Sequence, residues 1–352
     1  MEPRLIVSGS DDETVRIWSE PKKLFTFERV GNLRPILEVF KFLSSEEAIG
    51  IARVNQQFYE ASFHSEVLKP GLRKARVLEG HTECVWSVAV SPSKGILVSA
   101  SEDSTIQVWS LATAQVNQVL KGHSDWVLSV AISNDGEWVV SGAGDNTVRV
   151  WSLASGLTTF VLTGHSGYIR SVAISSKDQF IVSCGYDTTI RVWSLTTGEV
   201  IRVLRGHSLC VHSVAISKTD QYIVSGSMDS TVRVWSLTSG NLIRVLRGHG
   251  DWVNSVCISS DEQFVVSGSA DNTIRVWSLT SGETTQVLKG HTGGVLSVKL
   301  SSDDKYLVSG GGEDENETGN GDYSVRVWNL STGLQTQELR GHTDPVCSVN
   351  LI

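Results

Sequence analysis

Residues 206–249, GHSLCVHSVAISKTDQYIVSGSMDSTVRVWSLTSGNLIRVLRGH, consist of short apolar runs broken by turn formers. Val211, Val214 and Ile216 mark one β-rich run, Tyr222 to Ser225 a second, Thr231 to Trp235 a third and Leu242 to Leu246 a fourth. Lys218-Thr219-Asp220 and Thr238-Ser239-Gly240 supply turns between them. The pattern predicts four short strands in one small antiparallel sheet. Such a sheet cannot bury both faces alone, so further copies have to pack beside it. One stretch departs from this rhythm. In FLSSEEAIGIARVNQQFYEAS, residues 42–62, Ser44 can cap a helix with Glu47 three positions on, and Ala48, Ile51, Ala52, Val54 and Phe58 follow at helical spacing.

The strand unit recurs. Gly-His pairs place His81, His123, His165, His207, His249, His291 and His342 at intervals of 42 residues, the last interval being 51. A parallel series, Trp18, Trp109, Trp151, Trp193, Trp235, Trp277 and Trp328, is followed six times by Ser and once by Asn329. A period of about 40 to 45 residues with Gly-His at one end and Trp-Asp at the other is the signature of the WD40 repeat, and the chain resembles that family, with Ser or Asn in place of the Asp. The resemblance implies blades packed around a central axis, a β-propeller. Counting strands gives its closure. Val346 to Ile352 reads as an innermost strand with no successors, while Leu5 to Ser10 and Thr14 to Trp18 read as a second and third strand with no predecessor. The expectation is an all-β, seven-bladed WD40 propeller closed by both termini, which removes open sheet edges.

Composition narrows the partner classes. The chain has 352 residues, of which 30 are basic and 38 acidic, and the net charge of -8 speaks against nucleic acid and anionic membrane surfaces as partners. The opening MEPRLIVSGSDD lacks the basic and apolar segments of a secretion signal, and no run approaches the ~18 apolar residues of a membrane span. An intracellular protein, cytoplasmic or nuclear and monomeric on its own, is expected. Five cysteines, Cys84, Cys184, Cys210, Cys257 and Cys347, are odd in number and lack a C-x-x-C pair, so they read as reduced thiols.

Six of the seven units hold a Ser and an Asp four residues apart between the His and the Trp. One unit gives His81, Ser99, Asp103 and Trp109, another His165, Ser183, Asp187 and Trp193, and the closing unit His342, Ser8, Asp12 and Trp18. In the unit of His291 an insertion separates Ser309 from its equivalent, Asp322. Ser, His and Asp together are the components of a hydrolase triad, but a set repeated around a ring argues otherwise, because catalysis needs one nucleophile beside one oxyanion hole and one pocket. The WD40 resemblance implies instead a structural network running from Asp through His and Ser to the Trp indole, and buried polar groups need such partners. No catalytic residue, cofactor or metal is expected. Cys84, Cys210 and His212 fall on blades too far apart to converge on zinc.

Positions that differ among the copies are free to carry function. The third and fifth residues after each repeat histidine vary, and include Trp86, Trp126, Tyr168, Arg170, His212, Trp252 and Asn254. The residue before the turn Asp adds Glu102, Tyr186 and Met228. By resemblance to the family these positions ring the channel mouth, on the face formed by the loops before strand one and after strand two. Aromatic residues with Arg are the usual anchors of protein interfaces, so a protein or peptide is the expected partner. Against this stands the packing of a single aromatic, Trp126 or Trp252, between loops. The sixth unit is longer, with 37 residues from His291 to Trp328 against 28 from His249 to Trp277. Glu313, Asp314, Glu315 and Glu317 make its extra loop acidic, a solvated run or else an acidic lip on the binding face.

After Trp18 two segments compete for the fourth strand of the closing blade, Leu24 to Val30 and Lys74 to Glu79. The second is chosen because it runs on into Gly80-His81. The intervening helical stretch then lies between strands three and four, on the face opposite the variable ring. From Leu33 the sequence LRPILEVFKFLSSEEAIGIARVNQQFYEAS resembles an F-box, with Leu33 and Pro35 at its start and Ile36, Leu37, Phe40 and Leu43 on its first helix. That resemblance implies a small α-helical insert docking the adaptor of a cullin-type ubiquitin ligase, with the propeller as substrate receptor. An F-box normally precedes a complete propeller, and here it is threaded inside a blade. The alternative is a general WD40 scaffold whose insert is structural. The expected domains are residues 1–19, strands of the closing blade; 20–72, linker and insert; and 73–352, the propeller.

Overall fold

Alternation of Val and Ile with polar residues, ended by Asp-, Gly- and Ser-rich turns, draws the chain into twenty-eight strands, β1 to β28 in chain order, over the residues that the computed structural model describes, 5–19, 73–312 and 321–351. They form seven four-stranded antiparallel sheets. Six of these take four consecutive strands, and we number them blades 1 to 6 by His81, His123, His165, His207, His249 and His291. Blade 7 is assembled from both ends of the sequence, in the order β28 (Ser348–Leu351), β1 (Leu5–Gly9), β2 (Val15–Ser19), β3 (Arg73–Leu78). Ile6 lies opposite Leu351, and Trp18 opposite Lys74. The outer strand is therefore the segment that leads to His81; residues 24–30 lie outside the described residues. The connection 20–72 leaves β2 at the end remote from the Asp12 turn.

The core lies between blades. Val7, Val15 and Ile17 of blade 7 pack with Val85, Val88, Leu97 and Trp109 of blade 1, and Ile6, Trp18 and Val349 pack with Val308, Val325 and Val327 of blade 6. Each fully buried side chain of this size contributes roughly 1.5–3 kcal/mol. Close approach of neighbouring blades explains Gly226, where a Cβ would stand 2.6 Å from Val253 of the next blade.

Two sets of hydrogen bonds tie blade to blade. Ser87, Ser129, Ser171, Ser213, Ser255, Ser297 and Ser348 each accept the backbone N–H of a valine on the following blade, at 3.0 to 3.2 Å. This ring is continuous, and its bonds from Val349 to Ser297 and from Val88 to Ser348 cross both seams of blade 7. At the other end of the strands Asp178, Asp220, Glu262 and Asp304, all at positive φ, accept turn N–H groups of Asn134, Ser176, Thr219 and Ser260 on the preceding blade. That second set joins blades 2 to 6. Among the described residues no helix is long and apolar enough to cross a membrane.

Candidate partner-binding face

The repeated polar set forms one network per blade. In blade 3 the Trp193 indole N–H donates to Ser183 Oγ at 2.8 Å, Ser183 meets His165 Nε2 at 2.8 Å, and His165 Nδ1 meets Asp187 Oδ2 at 2.8 Å. Blade 1 repeats this through Trp109, Ser99, His81 and Asp103 at 2.7 to 2.8 Å. In blade 6 Asp322 takes the place that the insertion had displaced, 2.8 Å from His291. Blade 7 builds its copy from both ends of the sequence, His342 bonding Ser8 and Asp12. Since the indole can only donate, the serine O–H donates to Nε2 and the imidazole donates Nδ1–H to the carboxylate. Asp187 also accepts the Ser166 and Thr189 amides, so it is saturated. Burial raises these carboxyls, and the hydrogen bonds from the paired histidine and the flanking hydroxyl, joined by the histidine's charge when it is protonated, outweigh it: Asp103 is lowered to about 2, and Asp12, Asp145, Asp187, Asp229, Asp271 and Asp322 are lowered further. Ser183 is fully buried between its two partners, which leaves no approach for a substrate.

Anchored by these networks, the loops bring variable positions together. The Tyr186 amide donates to the Tyr168 carbonyl, that of Met228 to Cys210 and that of Glu102 to Cys84, at 2.9 to 3.0 Å, so the residue before each turn Asp sits beside the third residue after the histidine. The rings of Tyr168 and Tyr186 meet edge to face with centroids 5.8 Å apart. Trp126, Tyr168, Tyr186 and Trp252 are exposed by 45, 43, 52 and 45%, so nearly half of each is open to a partner, while Met228 is half-buried. The Asp125 and Asp251 carboxylates hold the amides of Trp126 and Trp252.

The fifth positions converge instead on the axis. Trp86, Arg170, His212 and Asn254 line one cavity of about 150 Å³, together with Leu128, Leu296 and Cys347. Arg170 lies over the Trp86 ring at 5.1 Å, and the Trp86 indole donates to Glu102 at 2.9 Å. His212 Nδ1–H donates to Asn254 Oδ1 at 3.2 Å, and the Asn254 amide to the Val295 carbonyl. Burial, reinforced by the Arg170 charge, lowers His212 to about 4, so its ring is neutral at pH 7. Leu128, Leu296 and Cys347 escape a search for interface residue types; their signal is the shared offset of five from the repeat histidine.

All five cysteines are free. Burial pushes Cys84 up to about 11 and Cys210 up to about 12, so both are protonated thiols, Cys84 donating to the Asp11 carbonyl at 3.4 Å. Among the described residues no group of three His, Cys, Asp or Glu side chains is placed to hold a metal ion. The F-box-like positions Leu33, Pro35, Ile36, Leu37, Phe40 and Leu43, and the acidic positions Glu313, Asp314, Glu315 and Glu317, lie outside the described residues.

Residues 168–339 match the family described as the fourth β-propeller of WDR90, and residues 2–19, 72–110 and 114–152 match the WD domain, G-beta repeat. The chain is 34% identical over 111 residues to transcription initiation factor TFIID subunit 5 of Drosophila melanogaster, which covers 31% of this chain and 13% of that protein. It is 32% identical over 97 residues to a probable cytosolic Fe-S cluster assembly factor of Schizosaccharomyces japonicus, covering 28% and 15%. To the nuclear distribution protein nudF of Aspergillus flavus it is 30% identical over 112 residues, covering 31% and 23%. In each case the match spans less than a quarter of the relative's length.

Proposed function

We infer, from the premise that the chain is a seven-bladed β-propeller of WD40 repeats, a non-catalytic protein-interaction function in which the face around the channel mouth binds a protein or peptide. One observation carries this reading: the positions that vary between copies gather exposed aromatics around an arginine-bearing cavity, while the positions common to them are spent on the scaffold. Exposed Trp and Tyr beside Arg are the side chains on which interface energy concentrates. The net charge of -8 supports a protein partner over nucleic acid or membrane, and a propeller that is monomeric on its own.

For residues 20–72 the F-box resemblance supports a ubiquitin-ligase adaptor as second partner. The second reading, a scaffold with a structural insert, draws support from matched relatives named as a transcription-factor subunit and a nuclear distribution protein. Coprecipitation with a purified cullin-type adaptor separates them. A working F-box loses the adaptor on Leu37→Ala with Phe40→Ala and keeps its stability, while Trp126→Ala and Trp252→Ala weaken only capture at the opposite face. No adaptor binding by the unmutated protein, with a loss of about 2–5 kcal/mol for each buried large side chain removed, leaves the scaffold.

A further inference from the structure

We propose that the channel mouth receives an anionic side chain, carboxylate or phosphate, from a partner segment whose flanking residues are basic. The proposal rests on the partner-binding reading of this face. Among the described residues Arg170 is the one cation lining the cavity, and the rest of the lining is uncharged: the Trp86 indole, two leucines, the Asn254 amide, the Cys347 thiol, the His212 imidazole and a ring of seven serines. The Arg170 Nε–H is buried with no hydrogen-bond partner, as are those of Arg149, Arg191, Arg233 and Arg275, but of these five only Arg170 lines the cavity. The guanidinium carbon lies 5.1 Å from the centroid of the Trp86 ring, a cation–π contact that uses none of its N–H donors. The neighbouring carboxylates are engaged with other groups, Glu102 with the Trp86 indole and Asp11 with the Cys347 thiol, so among the described residues the partly desolvated cation has no direct ion pair, and the guanidinium fork matches the oxygens of carboxylate and phosphate.

The surrounding loops carry the opposite sign. Glu13, Glu83, Asp125, Asp251 and Asp344 lie in the same turns as the network but outside it, while Lys121, Arg205, Arg247, Lys289 and Arg340 precede the Gly-His pairs at or just past the ends of the outermost strands. A positive centre within an acidic rim is complemented by a segment with an acid at its tip and Lys or Arg on either side.

The test uses the purified 352-residue chain, fluorescently labelled, on bead-displayed short peptides. Their central residue is Asp, Glu, phosphoserine, Asn, Gln or Lys, and their flanks are randomised among charged and small residues. Acidic centres with basic flanks are expected to be retained about tenfold more strongly than Asn or Gln centres, and Arg170→Gln to bring the two to parity. The Asp and Glu arms against the phosphoserine arm tell which anion the site prefers. Trp126→Ala is expected to lower retention of every centre alike. Equal retention of acidic and neutral centres by the unmutated chain overturns the proposal whatever the stability of Arg170→Gln, as does a preference that survives that substitution. If Trp126→Ala still lowers retention then, the partner-binding reading stands alone; retention of no peptide overturns both.

Discussion

His165 joins two polar neighbours, the fully buried Ser183 on one ring nitrogen and the partly buried Asp187 on the other. His165→Ala leaves the serine proton and one carboxylate oxygen without this partner, and the Trp193 indole loses a fixed acceptor orientation. Stranding buried members of a network costs about 1 to 3 kcal/mol, so the melting midpoint of this variant should fall by several degrees. Thermal unfolding followed by circular dichroism measures it. A midpoint equal to that of the unmutated chain means the network carries no stability, and an esterase activity lost with the imidazole means the triad reading was right.

At the scale of elements, blade 7 differs from the others in how it is held. Its inner strand β28 pairs only with β1 inside the sheet, and β1 and β2 supply the apolar side chains Ile6, Val7, Ile17 and Trp18 to both neighbouring seams. Removing residues 1–19 therefore deletes two strands, exposes the edges of β28 and β3, and opens both seams. Of the ring through the serines, the bonds of Ser297 and Ser348 depend on β28 staying in place. The truncated chain is expected to aggregate or to melt well below the intact one, as open apolar edges do. Size-exclusion chromatography with a thermal melt checks this; a monomer of unchanged midpoint refutes shared closure.

For the whole molecule the seven networks titrate together. Each aspartate sits below the ordinary carboxyl value of 3.8, so the stability it contributes is present above that value and is lost as the pH falls toward the folded one, about 2 for Asp103. Burial also lowers His207 and His291 from 6.5, so the unfolded chain takes up those protons first and a shallower loss begins as the pH drops below about 6.5. Melting midpoints measured from pH 7 downward should therefore decline gently at first and then steeply between about 4 and 2. A midpoint constant to pH 2 contradicts the assignment of charged, paired aspartates.

How much of this was legible beforehand follows from where each interaction lies. Strand alternation and turn chemistry act within one repeat, and the repeats can be compared with one another, so the seven blades and the closing blade are written in the sequence, while the network from His81 to Trp109 was implied by the WD40 resemblance. The outer strand of blade 7 was readable because it runs on into Gly80-His81. Contacts between blades were not. Arg170 meets Trp86 across an intervening blade at a distance that only packing around the axis sets. The seven serines stand at one offset in every copy, yet each accepts from a backbone N–H, which every residue but proline carries, so residue identity could not name the partner. The acids of the turn clasps reach amides for the same reason. Local periodicity thus determined which strands form and how many; the separation of neighbouring blades, fixed by side-chain volume at their seams, decided which polar groups meet at the channel mouth and which remain unpaired.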